Sequence, residues 1–439
     1  MRAARATFAC FAILLCQFAE ASDSDDAPTL LREIQASLQA GYPDLDELYK
    51  DIHAHPELGF HEERTAGKLA LRMRTLGFTV TERVGRTGLV GLYKNGNGPT
   101  IMVRTELDAL PMEEKTGLAY ASRAKTQYEG KETFVAHSCG HDVHMATWVG
   151  TAQALVALKD RWHGTLMFVA QPAEELGDGA QAMIDDGLFT RFPKPDYAFA
   201  LHAAPEPIGY VGIAAGAFTS NADDLEIVFK GRGGHGAYPD KTVDPIAEAA
   251  HFIVDVQTVV SREKDPREFG VVTVAAMQAG SAGNIIPDQA LLRGTIRSYK
   301  PEVRSKLLEG VRRTAMAAAA MAGAPDPEIS FGSSSFAVIN DDALVARTET
   351  VLKSTLGDGV QHHLPLAASE DFSVFVNTGI PSMFFVIGVY DRKRVDEVRS
   401  GGNPLPSNHS PFFAPVPEPS IRTGVEAMSL AVLTALRER

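Results

Sequence analysis

Val143-His144-Met145-Ala146-Thr147-Trp148-Val149-Gly150-Thr151-Ala152-Gln153-Ala154-Leu155-Val156-Ala157-Leu158 places Met145, Val149, Ala152, Leu155 and Val156 on one helical stripe, and the setting of this helix decides the architecture. Short apolar runs flank it, Ile101 to Arg104 before and Leu166 to Ala170 after, neither with clean polar alternation. Such runs read as strands buried on both faces. Leu89 to Tyr93, Tyr197 to Leu201 and Met383 to Ile387 have the same character. Upstream, Leu45, Leu48 and Ile52, then Ala66, Leu69, Ala70, Met73 and Leu76, recur at helical spacing and stop at Gly77, so two helices are expected before the first strand. Alternating strands and helices predict an α/β fold with a mostly buried sheet flanked by helices.

A second pattern lies inside the first. From Phe218 to Phe331 the order is strand (Leu225 to Phe229), helix (Asp244 to Val260), strand (Gly270 to Met277), strand (Ala290 to Arg297), helix (Pro301 to Met321) and a short strand near Ile329. This βαββαβ order is that of a ferredoxin-like α+β unit. Sheet-like sequence then resumes, so the first domain is expected to be discontinuous, over 22–216 and 332–439, with an insert over 217–331.

Arg2 and Arg5, an apolar run from Phe8 to Ala19 and the Ala19-Glu20-Ala21 triplet read as a secretory leader over 1–21, cleaved near Ala21. Export to periplasm or medium follows as an expectation, with no integral membrane span in the mature chain. Cleavage removes Cys10 and Cys16 and leaves Cys139 alone, so an internal disulfide is excluded. The length of 439 residues, 45% of them hydrophobic, suits two or three domains. A net charge of -13 offers no electrostatic footprint for a phosphate backbone, so nucleic acid is not an expected partner.

His137-Ser138-Cys139-Gly140-His141-Asp142-Val143-His144 sits where a loop enters the helix, and Glu174-Glu175 follows the Leu166 to Ala170 run. Thiolate and imidazole suit zinc and its neighbours, and a carboxylate beside a ligating carboxylate can take a proton from water. Asp108, the glutamate pair and His202 all fall at carboxyl ends of expected strands, where open α/β sheets collect their sites. Asp108 and Asp142 are expected to orient ligand histidines, whereas His53, His55, His61, His137 and His144 read as structural or local. A cysteine hydrolase with Cys139 as nucleophile is the rival chemistry, but it leaves Glu174-Glu175 and the strand-end histidines without a role.

Taken in order, His53-Ala54-His55-Pro56-Glu57-Leu58, Asp108-Ala109-Leu110-Pro111, His137 to His144, Gln171-Pro172-Ala173-Glu174-Glu175, Gly231-Arg232-Gly233-Gly234-His235, Asn284-Ile285-Ile286-Pro287-Asp288, Gly294-Thr295-Ile296-Arg297 and His409-Ser410-Pro411 resemble the M20 metallopeptidase family, in its amidohydrolase branch acting on N-acyl amino acids, hippurate and auxin conjugates. The resemblance implies two divalent cations, zinc or manganese foremost and cobalt or nickel as alternatives. Cys139 would bridge them, with His141, Glu175, His202 and His409 completing the set. It implies Glu174 as general acid/base, His235 as oxyanion stabiliser, Asn284 and Arg297 as holders of the substrate carboxylate, and a homodimer through the inserted domain. A dipeptidase or carboxypeptidase of the same family, or a non-catalytic metal-containing binding protein for amino-acid conjugates, remain the alternatives. Two positions depart from the family pattern: Glu106 stands where aspartate is usual, and Asp240 where a further histidine is frequent.

Overall fold

A computed structural model describes residues 14–437. The expected leader falls outside the described residues up to position 13, and the helix Leu14–Ala54 begins within it. Among the described residues no helix is long and apolar enough to cross a membrane.

The chain divides into two compact units. The first takes the chain up to Gly216, then Asn340–His363 and everything from Phe375 onward. It is built on an eight-stranded mixed sheet in the order Thr79–Val84, Gly88–Asn95, Gly164–Gln171, Thr100–Glu106, Tyr197–Pro207, Ser382–Tyr390, Val211–Ile213, Val360–His362. Its centre is parallel: Thr100–Glu106 runs with Gly164–Gln171 on one side and with Tyr197–Pro207 on the other, and Ser382–Tyr390 continues in the same sense. All nine residues of Ser382–Tyr390 are buried, as expected for a strand covered on both faces. The strand Thr79–Val84 was not expected; its polar, largely exposed sequence belongs to an edge and lacks the apolar run that marks the inner strands.

The helix His141–Ala157 follows from its sequence, but more of it is buried than a single stripe. It is enclosed by the sheet and by the helices Leu14–Ala54 and Pro417–Leu436, whose Leu45, Leu48, Leu430 and Leu433 share its core. A Cβ on Gly150 would stand 2.6 Å from Val425 Cγ2 and 2.9 Å from Leu45 Cδ1, so glycine sets how closely these helices approach. Trp148 fastens the helix to the sheet. Its ring meets Phe168 edge-on at 5.1 Å and its Nε1–H donates to Val103 O at 3.0 Å.

The second unit comprises Ala217–Ile339 and Leu364–Val374, so it runs past Phe331 and takes in a later segment that sequence patterning had placed with the first unit. Tyr299 Oη donating to Pro365 O and Ser220 Oγ donating to Ala367 O tie that segment in, contacts between residues far apart in the chain. Its sheet is antiparallel in the order Gly270–Ala279, Gln289–Ser298, Asn221–Lys230, Glu328–Ser335, which is the ferredoxin-like arrangement. The helices Pro245–Asp255 and Pro301–Ala322 bury Phe252, Leu307 and Val311 with Phe229 and Leu292 of the strands. The first of these helices is capped by Asp244, which accepts from Ile246 N, and carries proline in its first turn.

Because Trp148 supplies both packing and a hydrogen bond to a buried carbonyl, Trp148→Ala is expected to cost roughly 3 to 5 kcal/mol. Urea unfolding followed by circular dichroism checks it, and an unchanged midpoint would remove Trp148 as the anchor of this helix.

Candidate metal centre

Two strand ends, one strand interior, one helix start and one loop deliver the donor atoms. Thr100–Glu106 leads straight into Asp108, and Gly164–Gln171 into Pro172, Ala173 and the glutamate pair. His202 was expected at the end of its strand but lies inside it, because Tyr197–Pro207 extends well beyond Leu201. What matters is its neighbour: pairing with Thr100–Glu106 covers only Ile101–Val103 against Tyr197–Phe199. Past that point the two strands part, and His202 lies beside the opening.

Backbone conformation shapes the opening. Gly140 takes φ 96°, and a Cβ there would meet Ala203 Cβ at 3.0 Å, so glycine is what turns the chain from Cys139 into the helix starting at His141. Two non-glycine residues also adopt left-handed φ, Ala173 at 50° and His409 at 66°. Such conformations cost on the order of 1 to 3 kcal/mol each and persist where surroundings enforce them. Ala173 N–H donates to Glu62 Oε1 at 2.8 Å, and His409 N–H to Ser138 O at 2.8 Å. Asn408 Nδ2 adds bonds to Cys139 O at 2.8 Å and Ala203 O at 3.1 Å, binding the His409 loop to both other chain segments.

The side chains then converge. Cys139 Sγ stands 3.4 Å from His202 Nε2 and 3.3 Å from His409 Nε2. His409 Nε2 is 3.3 Å from Glu175 Oε2, and His141 Nε2 is 3.7 Å from Glu174 Oε2 and 4.0 Å from Glu175 Oε1. His141 Nδ1 faces Asp108 O at 2.8 Å, while Asp108 Oδ2 accepts from Glu175 N at 3.0 Å, so Asp108 orients two members of the set. Asp142 does not orient one: its carboxylate holds His53 Nδ1 at 2.6 Å, and His53 Nε2 meets Glu114 at 3.1 Å, a buried structural pairing.

These donors fit divalent cations. His141 Nε2 and Glu175 Oε1 are buried without a hydrogen-bond partner among the described residues. Two ligands of one zinc-like ion, each at about 2.0 to 2.3 Å, stand about 3 to 4 Å apart, the separations found here. Cys139, His141 and His202 form one compact donor group and Cys139, Glu175 and His409 another, with the thiol common to both. Burial together with the carboxylates of Glu175 and Glu174 pushes the Cys139 thiol well above its ordinary range. Burial acts to lower His141, but the carboxylates of Asp108, Glu106 and Glu175 outweigh it and raise it to about 10. Burial takes His202 down to about 3. A proton held on a thiol or imidazole that faces carboxylates is what a divalent cation displaces.

His235, Asn284 and Arg297 belong to the second unit. The first two are neighbours there: Gly234–His235 pairs with Ile285–Ile286, and Gly236 N–H donates to Asn284 O at 2.8 Å. Arg297 lies on Gln289–Ser298, opposite Ala222 and Val271 in the four-stranded sheet. Sequence reasoning missed Glu62 and Asn408, which hold the two strained residues. Asn408 could have been marked by its place next to His409, but Glu62 lies more than a hundred residues from Ala173 and carries no local signal.

Residues 102–433 match the peptidase family M20/M25/M40. The chain is 37% identical over 340 residues to the hippurate hydrolase of Campylobacter jejuni, covering 76% of this chain and 85% of that one. It is 34% identical over 348 residues to the N-acetylcysteine deacetylase of Bacillus subtilis, covering 78% and 88% respectively. Among solved structures, a dinuclear metal-binding peptidase of the M20 family from Bacillus subtilis superposes with a TM-score of 0.75 at 28% identity, over 91% of this chain and 99% of that one.

Glu62 links the centre to pH. Burial, aided by the charge of Asp108, raises its carboxyl to about 7. A carboxyl raised on folding favours the fold while protonated, so stability is lost as pH climbs from about 4.5 through 7. Glu62→Gln removes that loss, and its melting temperature relative to the parent chain is expected to rise between pH 5 and pH 7 and to level off above. A difference constant across that window would show that Glu62 does not titrate there.

Proposed function

Because the chain belongs to the peptidase family M20/M25/M40 and is a metal-dependent hydrolase of amide bonds, we propose that its substrates are N-acyl amino acids or closely related amino-acid conjugates. Relatives named hippurate hydrolase and N-acetylcysteine deacetylase support this substrate class, since each name describes an acylated amino acid. The observation that carries the site assignment is the convergence of Cys139, His141, Glu175, His202 and His409, with the Cys139 thiol shared between two donor groups.

In this reading those five side chains would hold two divalent cations, zinc or manganese, the Cys139 thiol belonging to both donor groups. When bound, they would supply Lewis acidity toward the amide carbonyl and lower the pKa of a water molecule, so that it is more readily deprotonated to a nucleophile. Glu174, next in sequence to the ligand Glu175 and 11% exposed, stands at the mouth of the donor set. It accepts the proton of the attacking water and delivers it to the departing amine, a role that needs one carboxylate left out of the ligand shell. His235 accepts from Ala237 N at its Nδ1, at 3.1 Å, which puts the proton of a neutral ring on Nε2 and leaves that N–H free to donate to the developing oxyanion. Asn284 and Arg297 bind the substrate carboxylate, the arginine through its planar fork.

Glu174→Ala is expected to keep its metal and to lose turnover by at least about 100-fold, whereas Cys139→Ser is expected to lose metal. Elemental analysis beside a substrate panel of N-acyl amino acids and dipeptides, run after chelation and re-addition of zinc, manganese or cobalt, reads both. Full activity in chelator would restore the cysteine hydrolase, binding without turnover the capture protein, and preference for dipeptides the peptidase alternative. Near-normal turnover by Glu174→Ala would sink the proton-shuttle role.

We further propose that the chain is exported after cleavage near Ala21, on the basis of Arg2, Arg5 and the apolar run behind them. It is proposed to self-associate through the second unit, whose outer strand Gly270–Ala279 leaves Ala275, Ala276 and Met277 exposed. Intact mass and sedimentation of protein recovered from the exported fraction are expected to give a chain starting near Ser22 at twice the monomer mass. An uncleaved monomer would reject both.

A further inference from the structure

His144 was read from sequence as a local residue of the first helical turn, and its contacts are more specific than that. Strand Tyr197–Pro207 keeps its pairing with Ser382–Tyr390 past Ala203, but on its other side the Thr100–Glu106 ladder has already ended at Phe199. The peptide groups of Ala203 that face the missing strand are buried, and buried peptide groups need partners. The N–H donates to His144 Nε2 at 2.7 Å, and the carbonyl accepts from Asn408 Nδ2 at 3.1 Å. Side chains thus stand in for a strand beside the residue that follows His202.

The tautomer of His144 follows from these bonds. A backbone N–H can only donate, so Nε2 must be bare and the ring proton must sit on Nδ1. Nδ1 faces Glu106 Oε2 at 3.0 Å. The other oxygen of Glu106 is bound by Arg104, whose Nε donates to Gln171 Oε1 at 2.9 Å. Arg104, Glu106, His144 and Gln171 are each at most 2% exposed. Burying an ion pair is a poor way to gain stability, and its better attested use is to specify one arrangement. What is specified here touches the donor set: the His144 ring lies edge-on to His202 at 4.6 Å between centroids and 5.4 Å from His141.

We propose that His144 is a positioning residue for the cation site: held by Glu106 as the neutral Nδ1–H tautomer, it takes the Ala203 N–H at Nε2 and sets the plane in which the His202 imidazole faces the Cys139 thiol. The inference rests on Cys139 and His202 being ligands, as read above. Glu106 acts through His144 and Arg104 acts through Glu106, so neither touches the cation or the substrate. Both His144 nitrogens are committed, which also removes Glu106, His141 and His144 as a separate metal-binding group despite their proximity.

Cobalt titration of the chelated full-length chain tests this, reading affinity and the visible and thiolate charge-transfer bands together. His144→Gln sets an amide oxygen where Nε2 accepts from Ala203, His144→Asn keeps only a donor toward Glu106, and His144→Phe keeps only the ring. The Asn and Phe variants are expected to bind cobalt about 10- to 100-fold more weakly with shifted bands, as loss of a ligand-orienting partner does, and Gln to return within a few-fold of the parent with parental bands. His144→Asn, which keeps a polar group toward Glu106 and leaves the buried Arg104–Glu106 pair intact, covers the case in which Phe does not fold; it is expected to weaken cobalt binding while its circular dichroism stays parental. Parental affinity and spectrum in the Phe or Asn variant, or a Gln variant no better than Phe, would overturn the proposal. Cys139→Ser separates the two readings: if it loses cobalt while His144→Phe keeps it, positioning fails alone, and if it also binds normally, the ligand assignment fails first.

Discussion

The first unit depends on two parallel strands that stop pairing. Thr100–Glu106 and Tyr197–Pro207 are joined over three residues and then separate toward their carboxyl ends. The chain leaves the first strand and returns through the helix His141–Ala157 to Gly164–Gln171 on one flank, while Tyr197–Pro207 takes the other flank and continues the sheet to Ser382–Tyr390. A crevice at such a reversal of strand order is where open α/β sheets bind ligands. The separation also leaves the peptide groups of Ala203 without a ladder on that side, and here they are met by side chains of His144 and Asn408. The same event that opens the site therefore supplies the bonds that hold it in shape.

Those bonds account for the strain at its edges. Ala173 and His409 sit in left-handed backbone conformations on either side of the donor cluster, each fixed by a hydrogen bond from a distant segment. Strain of this kind is tolerated where function constrains the backbone and the surroundings over-determine it. Around the cluster, carboxylates outnumber the cations that could neutralise them. Glu106 shows the balance: burial alone would raise its carboxyl, yet Arg104 and His144 hold it well below its usual range, so it stays charged inside the sheet. In the donor set proper, burial and the nearby carboxylates hold the Cys139 thiol above its ordinary range, and the carboxylates raise His141 as well against its burial, a condition that a divalent cation relieves by displacing protons.

Much of this was legible in one dimension, and unevenly. The inner strands announced themselves as unbroken apolar runs such as Met383 to Ile387, because burial on both faces removes alternation. The ferredoxin-like order was readable because each of its elements has an ordinary length and clear stops, such as Asp244-Pro245 at a helix start. The edge strand Thr79–Val84 was not readable, since an exposed strand need not be apolar. The passage of Leu364–Val374 into the second unit was not readable either, because it rests on contacts such as Tyr299 to Pro365.

The donor types were written in the chain: a cysteine flanked by Ser138 and Gly140, a histidine following the apolar run up to Leu201 and a glutamate pair after another such run are chemical facts of the sequence, and their ordered motifs carry the family. Convergence was not. Residues 139, 175, 202 and 409 meet because parallel strands deposit their carboxyl ends on one edge of a sheet and a loop more than two hundred residues downstream folds back over it. The orientation of His141 and His144 was decided later still, through Asp108 and Glu106, since a hydrogen bond between residues more than thirty positions apart is a property of the packed chain and leaves no mark on local sequence.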